Sequence, residues 1–406
     1  MGHCRWTTRL AALGSAAVLA VTSAGCDWAQ FRAGPAHSGA VAETALGVGN
    51  VATLVPRWSV TLGDGPGPAV DAVGPPVTTA GNVVVVSGSL LLAFAERDGA
   101  ARWQHALTGG GGPFGGPLHT SPSGAGGVVY VGEKDGFTPQ GSHGLIEKVD
   151  GATGAGLGFV PTSFLAGAVT PPTLAGGDVW FAFDVTVGGG LRAFGLQGVL
   201  ADGRTVVNPS AVSPSFASPA VAGGVVYTGD QSGNLAAYDA AGVTGCSDGG
   251  GVLTCTPLWS AGVGGVARTP AVDDPTVFAV SGAGALSAVP VAGAPGPGRP
   301  VAWTGLGVTT EVAAERPWVI GPDWFGGAGA AATTAPVIAN GVVYVGTADG
   351  RIQAFARDGC GTLPGLTCLP LWSAPVAGAP SSVIVANSRV VVGTDTGSLV
   401  SFGLPA

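Results

Sequence analysis

Hydrophobic positions along this chain come in short Val-rich runs broken by Gly-containing turns, and one phrase of this kind returns seven times. Each copy reads as a Pro, a short apolar strand, a turn, a second apolar strand, a Gly-rich turn and a third strand ending in an aromatic. The fullest copies are Ser218-Pro219-Ala220-Val221-Ala222-Gly223-Gly224-Val225-Val226-Tyr227 with Gly233 to Tyr238, and Ala335-Pro336-Val337-Ile338-Ala339-Asn340-Gly341-Val342-Val343-Tyr344 with Gly350 to Phe355. Looser copies are anchored at Pro76, Pro122, Pro172, Pro270 and Pro380. Most are followed by a Trp in a further β-like stretch, as at Trp103, Trp259, Trp303 and Trp372. Each unit therefore supplies about four short strands in roughly 45 to 50 residues, the size of a propeller blade.

The ends of the array predict how it closes. The seventh copy stops at Phe402 without a Trp strand, whereas an orphan Pro56-Arg57-Trp58-Ser59-Val60 precedes the first copy. A strand at Trp58 completes the last blade and leaves no open sheet edge between first and last. The reading is a single all-β propeller of four-stranded blades, seven in number, with an eighth left open by the long gap between Pro270 and Pro336. Its boundaries are an export signal over 1–25, a lead-in segment over 26–50 and the propeller over 51–406. Glycine and proline together make up 104 of 406 residues, which without a period would read as low complexity. Here the glycines fall at fixed turn positions.

Compartment is read from the N-terminus. Arg5 and Arg9 precede an uncharged, Ala-, Leu- and Val-rich stretch from Leu10 to Gly25 that is short for a membrane span and fits an export signal. It ends at Ser23-Ala24-Gly25-Cys26, similar to a bacterial lipobox, so Cys26 is the expected lipidation site, with secretion after a nearby cut as the alternative. Acyl chains, not a transmembrane helix, then hold a monomeric protein at a membrane of the cell envelope. The mature chain keeps 14 basic and 24 acidic residues, a net charge of −10. Such a chain cannot build a large phosphate-binding face, which argues against nucleic acid as a partner.

Four further cysteines fall as two local pairs, Cys246 with Cys255 and Cys360 with Cys368, each just before a Pro-Leu-Trp. Equivalent placement in two repeats predicts two local disulfides. Neither pair has C-x-x-C spacing or a neighbouring His, which argues against zinc.

The segment Trp28-Ala29-Gln30-Phe31-Arg32-Ala33-Gly34-Pro35-Ala36-His37-Ser38-Gly39, followed by these repeats, resembles the opening segment and blades of the PQQ-binding-like β-propeller proteins, also called the quinoprotein alcohol-dehydrogenase-like superfamily. The likeness runs from about Trp28 to the C-terminus. The superfamily includes pyrroloquinoline-quinone dehydrogenases and members without cofactor or catalysis, so fold transfers and function must be argued from the site. In its dehydrogenases the resemblance implies a quinone near the ring axis, a Ca²⁺ held by Glu, Asn and Asp, an Asp base and, in the alcohol-oxidising type, a disulfide between adjacent cysteines. No two cysteines here are adjacent, and the acids mostly lie in turns such as Asp230-Gln231-Ser232-Gly233, where backbone geometry already accounts for them. A C-x-x-C-H haem motif is also missing.

The expectation is therefore a non-enzymatic envelope propeller that binds a protein partner or small ligand, without a catalytic residue, metal or cofactor. A quinone- and Ca²⁺-dependent oxidoreductase and a sugar- or peptide-binding propeller are the alternatives. Candidate contact residues are His119 and Arg268 just before anchor prolines, and Arg316, Trp318 and Trp324 in the longest insertion. Thr120, Thr170 and Thr334 occupy equivalent pre-Pro positions, while His37, His105 and His143 show no metal-ligand spacing. Trp58, Trp103, Trp259 and Trp372 recur once per repeat and are read as packing between blades.

Overall fold

The computed structural model describes residues 27–405 apart from 42, 63–73, 109–117, 135–143, 161–166, 169, 188–190, 203, 211–216, 231, 250–251, 264–268, 274–275, 281–284, 293–296, 298–302, 307–333, 335–336, 348–349 and 357–369. The described strands form seven sheets, numbered here as blades 1 to 7 by the order of their inner strands. Those inner strands are Val77–Thr79, Ser123–Ala125, Thr173–Ala175, Ala220–Ala222, Ala271–Asp273, Val337–Ala339 and Pro380–Ala386. Blade 1 shows the plan, with antiparallel order Val77–Thr79, Asn82–Ser87, Leu90–Ala95, Ala101–Ala106. Inner strands of neighbouring blades touch from blade 1 through blade 5, and that of blade 6 touches blade 7. They therefore surround the axis of a β-propeller. The stretch 307–333, where the sequence leaves room for an eighth blade, is not among the described residues.

The turn between inner and second strands explains much of the glycine. Ala80-Gly81, Gly126-Gly127, Gly176-Gly177, Gly223-Gly224, Asn340-Gly341 and Asn387-Ser388 all have both residues at positive φ. Two-residue turns of that kind match the right-handed twist of the strands they join. These turns lie on one face of the propeller, the turn face. Segments linking an outermost strand to the next inner strand leave from the opposite, loop face.

Closure joins the two ends of the chain. Val55–Thr61 pairs antiparallel with the last strand, Ser398–Gly403, with Pro56 opposite Phe402 and Trp58 opposite Ser401. The completed blade 7 then packs on blade 1. The Trp58 indole N–H donates to Glu96 O at 2.8 Å, and a Cβ on Gly99 would come within 2.9 Å of the indole. Blade 1 repeats the arrangement on blade 2, where Trp103 donates to Gly151 O at 3.2 Å and a Cβ on Gly154 would lie 2.7 Å from the ring. Each Trp thus lies flat on a turn whose glycine leaves room for it. Val83 and Val85 of blade 1 share one buried core with Val383 to Val392 of blade 7.

Cys246 and Cys255 form a disulfide across a short hairpin, and its placement departs from a simple blade-edge loop. Val252–Cys255 runs parallel to Thr205–Ser210, the outer strand of blade 3, so a loop from blade 4 widens the sheet of its neighbour. Closing a loop of about ten residues contributes roughly 2.5 kcal/mol in the chain-entropy account; the disulfide braces the hairpin, and backbone pairing with Thr205–Ser210 joins it to blade 3. Cys360 and Cys368 lie outside the described residues.

Trp58 joins the first and last blades, so its removal should be felt by the whole ring. Trp58→Ala is expected to lower the unfolding free energy by about 3 kcal/mol, the usual cost of deleting a buried Trp. Urea denaturation followed by fluorescence checks this; an unchanged midpoint would show that closure does not rest on the indole.

Candidate functional site

In a propeller, a ligand or partner has the axis and the two faces to choose from. The inner strands present a difficulty at the axis, because each has a ladder partner on one side only and turns bare N–H groups inward. Residues 27–43 meet those groups blade by blade. Trp28 O accepts from Thr78 N at 2.9 Å, Ala29 O from Gly124 N at 2.5 Å, Pro35 O from Val221 N at 2.6 Å, Ala36 O from Val272 N at 2.9 Å and Gly39 O from Ile338 N at 2.8 Å. In blade 3 the Gln30 side chain substitutes for a strand, accepting from Leu174 N and donating to Leu174 O, both at 2.8 Å. Ala40–Val41 then pairs in parallel with the inner strand of blade 6. Glu43 accepts from Ser388 N of blade 7 at 2.8 Å. The segment that the sequence sets apart as a lead-in thus runs around the axis and touches each of the seven described blades in order.

Such a circuit needs tight local turns. Arg32, Ala33 and His37 adopt left-handed backbone conformations, at φ of 53°, 77° and 53°. Each costs on the order of 1 kcal/mol for a residue with a Cβ, and the surrounding hydrogen bonds hold them there. His37 is 1% exposed and lies 3.1 Å from Thr173 Oγ1. Burial, and then the charge of Arg32, pulls its imidazole from the ordinary 6.5 to about 3.

A second polar cluster marks the junction of blades 1 and 7 on the turn face. Asn387 Nδ2 donates to Asp27 Oδ1 at 2.9 Å and to the Glu96 carboxylate at 3.0 and 3.2 Å. Burial, and then the neighbouring Asp27 charge, pushes Glu96 from 4.5 up to about 7, against smaller opposing effects of Asn387 and Arg389. Blades 1 and 2 are linked in another way. Glu147 lies 2.9 Å from His105 Nε2 and accepts from Thr108 N at 2.8 Å.

Near the loop face, the pre-Pro threonines serve the backbone. Thr120, Thr170 and Thr334 accept from Gly132 N, Ala182 N and Gly346 N at 2.9, 3.0 and 2.8 Å. In blades 2 and 3 the inner strand is interrupted beside Pro122 and Pro172, and the hydroxyl supplies an acceptor for the second strand. His119 is buried at 8% exposure, its Nδ1 3.1 Å from Gly88 O of blade 1, opposite the buried Glu133 on the adjoining strand. It sits between two blades rather than open on a rim. Arg268, Arg316, Trp318 and Trp324, and also Cys26, lie outside the described residues. Among the described residues no three His, Cys, Asp or Glu side chains come together to hold a metal, and no helix is long and apolar enough to cross a membrane.

Sequence reasoning missed Gln30, Asp27, Glu43 and Glu96, which sit in or against the lead-in. The signal was present as the motif Trp28 to Gly39, but nothing in its spacing says that it runs along an axis.

The two shifted groups act in opposite senses on stability. Folded Glu96 holds a proton that the unfolded chain gives up, so its contribution is full below pH 4.5 and is lost as pH rises to about 7. Folded His37 refuses a proton that the unfolded chain takes, so its contribution is full above pH 6.5 and is lost as pH falls to about 3. Between 4.5 and 6.5 the two offset each other. Glu96→Gln should unmask His37, giving a stability that falls toward acid across that window by on the order of 1 kcal/mol per pH unit. Urea midpoints at a series of pH values measure it, and parallel profiles for variant and parent would contradict the assignment.

Comparison with known proteins agrees with this geometry. The family model described as outer membrane protein assembly factor BamB matches residues 87–304. Among solved structures, BamB from Moraxella catarrhalis is 17% identical over 86% of this chain and 99% of that one, with a TM-score of 0.47. A europium-containing methanol dehydrogenase is 11% identical over 93% and 98%, TM-score 0.54. The WD40 β-propeller domain of Doa1 is 10% identical over 87% and 97%, TM-score 0.51. At such identities the last two speak for the propeller fold alone. No curated protein matches the chain. The family model covers just over half of the sequence, and the chain belongs to the PQQ-like repeat family described as outer membrane protein assembly factor BamB.

Proposed function

We propose that this protein is an exported, lipid-anchored propeller that works by binding, as a non-enzymatic scaffold or recognition module in the cell envelope. The observation that carries the reading is the use made of the axis. Backbone and side chain from 28–39 take up inner-edge donors in blades 1 to 6, so the turn-face half of the axis is filled by the protein itself. Its faces are left for contact. The hydroxyls nearest the other mouth point the same way, because Thr120, Thr170 and Thr334 already serve backbone N–H groups. Membership of a family described by an envelope assembly factor supports an envelope role.

The partner is read as a protein of the envelope, met on the loop face. In the sequence Arg268 falls between the outer strand of blade 4 and the inner strand of blade 5, and Arg316, Trp318 and Trp324 fall in the insertion between blades 5 and 6; aromatic and Arg side chains are the residue types that dominate binding energy at protein interfaces. The rival quinone-dependent oxidoreductase needs a cradle of cations for a polyanionic cofactor, and the sequence offers one Arg, Arg268, beside an anchor Pro.

The purified protein is expected to take up neither pyrroloquinoline quinone nor Ca²⁺ stoichiometrically in equilibrium dialysis, and to reduce no dye with alcohols or sugars. Quinone uptake lost in Arg268→Ala would move the chain into the oxidoreductase class. Cys26→Ser is expected to shift the protein from the membrane to the soluble fraction. Unchanged fractionation would remove the lipid anchor from the proposal.

A further inference from the structure

We propose that the turn face around Asp27 is a membrane-facing surface, with Arg57, Arg97, Arg102 and Arg389 placed to meet anionic lipid headgroups. Of the two observations behind it, the first rests on the proposed anchoring at Cys26 and the second, the charge of the surface, stands without it.

The first is the absence of slack. Trp28 N donates to Thr78 Oγ1 at 2.7 Å, Trp28 O accepts from Thr78 N, and Asp27 Oδ1 accepts from Asn387. Trp28 itself is buried at 2% exposure. The chain is therefore fixed to the ring from the residue that follows Cys26. One residue spans at most about 3.5 Å, so acyl chains on that cysteine would hold the turn face against the bilayer instead of letting it swing on a linker. The loop face, at the other end of the axis, would point away toward a partner.

The second is the arrangement of charge at the same junction. Arg57 is near the turn-face end of the strand that completes blade 7, and Arg389 begins the second strand of that blade. Arg97 lies in the turn before the outer strand of blade 1, and Arg102 near the start of that strand. Arg389 has its pKa lowered first by burial and then by nearby Arg57, while Glu96 opposes this. Arg97 and Arg102 both act on Asp98. Arg57, Arg97 and Arg102 are exposed, Arg97 at 87% of its side chain. The acids of the junction mostly turn inward. Glu43 is 3% exposed and binds Ala45 N and Ser388 N, and Glu96 and Asp27 face Asn387. Asp98 is the exposed exception, and Arg97 pairs with it at 3.1 Å. Four guanidiniums and four carboxylates meet at this junction, but three of the guanidiniums and only one of the carboxylates are exposed, so its outer surface is cationic on a chain whose net charge is −8. An anionic bilayer repels the rest of such a molecule and attracts this junction.

The test uses the otherwise full-length Cys26→Ser protein, so that the face is read without any anchor, in sedimentation with vesicles of phosphatidylcholine with or without phosphatidylglycerol. Binding is expected to the anionic vesicles at low salt, to disappear at high salt, and to weaken about fivefold for each of Arg57→Gln, Arg97→Gln and Arg102→Gln. Arg351→Gln, at the loop-face end of a blade 6 strand, should leave it unchanged. Equal binding to neutral vesicles, no binding to either, or the same loss with Arg351→Gln would overturn the proposal. Release of Cys26→Ser from native membranes reports on the anchor separately, so failure of the face and failure of the anchor give different results.

Discussion

Everything in this ring depends on the unpaired inner edge of its blades. A β-strand at the centre of a propeller is hydrogen-bonded on one side and needs a partner for the N–H groups on the other, because a buried donor without one costs on the order of 1 to 3 kcal/mol. Short inner strands limit the number of such donors per blade. They cannot bring it to zero. The chain meets the remainder with its own lead-in, whose carbonyls and Gln30 amide reach Thr78, Gly124, Leu174, Val221, Val272 and Ile338 in turn. The positive φ values at Arg32, Ala33 and His37 follow from the need to turn within that narrow space.

The same circuit connects axis to rim. After leaving blade 6 the chain passes Glu43 at the blade 7 turn, and Leu54 O accepts from the Trp372 indole of blade 6. It then becomes the outermost strand of blade 7, where Trp58 lies on the Gly99 turn of blade 1. One continuous stretch therefore lines the inside of the ring and seals its outside. Loosening one is expected to loosen the other, since both ends of the stretch meet at the Asp27, Glu96 and Asn387 junction.

The two faces of the propeller differ in what they present. The turn face carries the half-buried carboxylates of Asp27 and Glu96 and an outer set of arginines. The loop face carries the threonines that serve the second strands, Thr120, Thr170 and Thr334. Among the described residues, the lead-in backbone occupies the turn-face half of the axis, and the proposed recognition at a surface builds on that.

The repeat determined a great deal unaided. Val-rich runs at a fixed period demand strands that bury both faces between blades, Gly-Gly and Asn-Gly demand tight turns, and the orphan Trp58 strand beside an incomplete seventh copy demands closure; the sheets and the Val55–Thr61 pairing have that form. These features are local in sequence, or repeated, and local geometry fixes them. Three things were decided by tertiary structure alone. His119 looked like a rim residue because it precedes an anchor Pro, yet the neighbouring blade covers it. The Cys246–Cys255 hairpin joined the sheet of blade 3 because an outer strand there offered a free edge. The lead-in became the axial partner of the inner strands because their unpaired donors exist only once the ring has formed. No spacing within Trp28 to Gly39 encodes a set of hydrogen bonds to residues 50 to 300 positions away; ring geometry creates those partners, and the segment has the turns and the Gln to reach them.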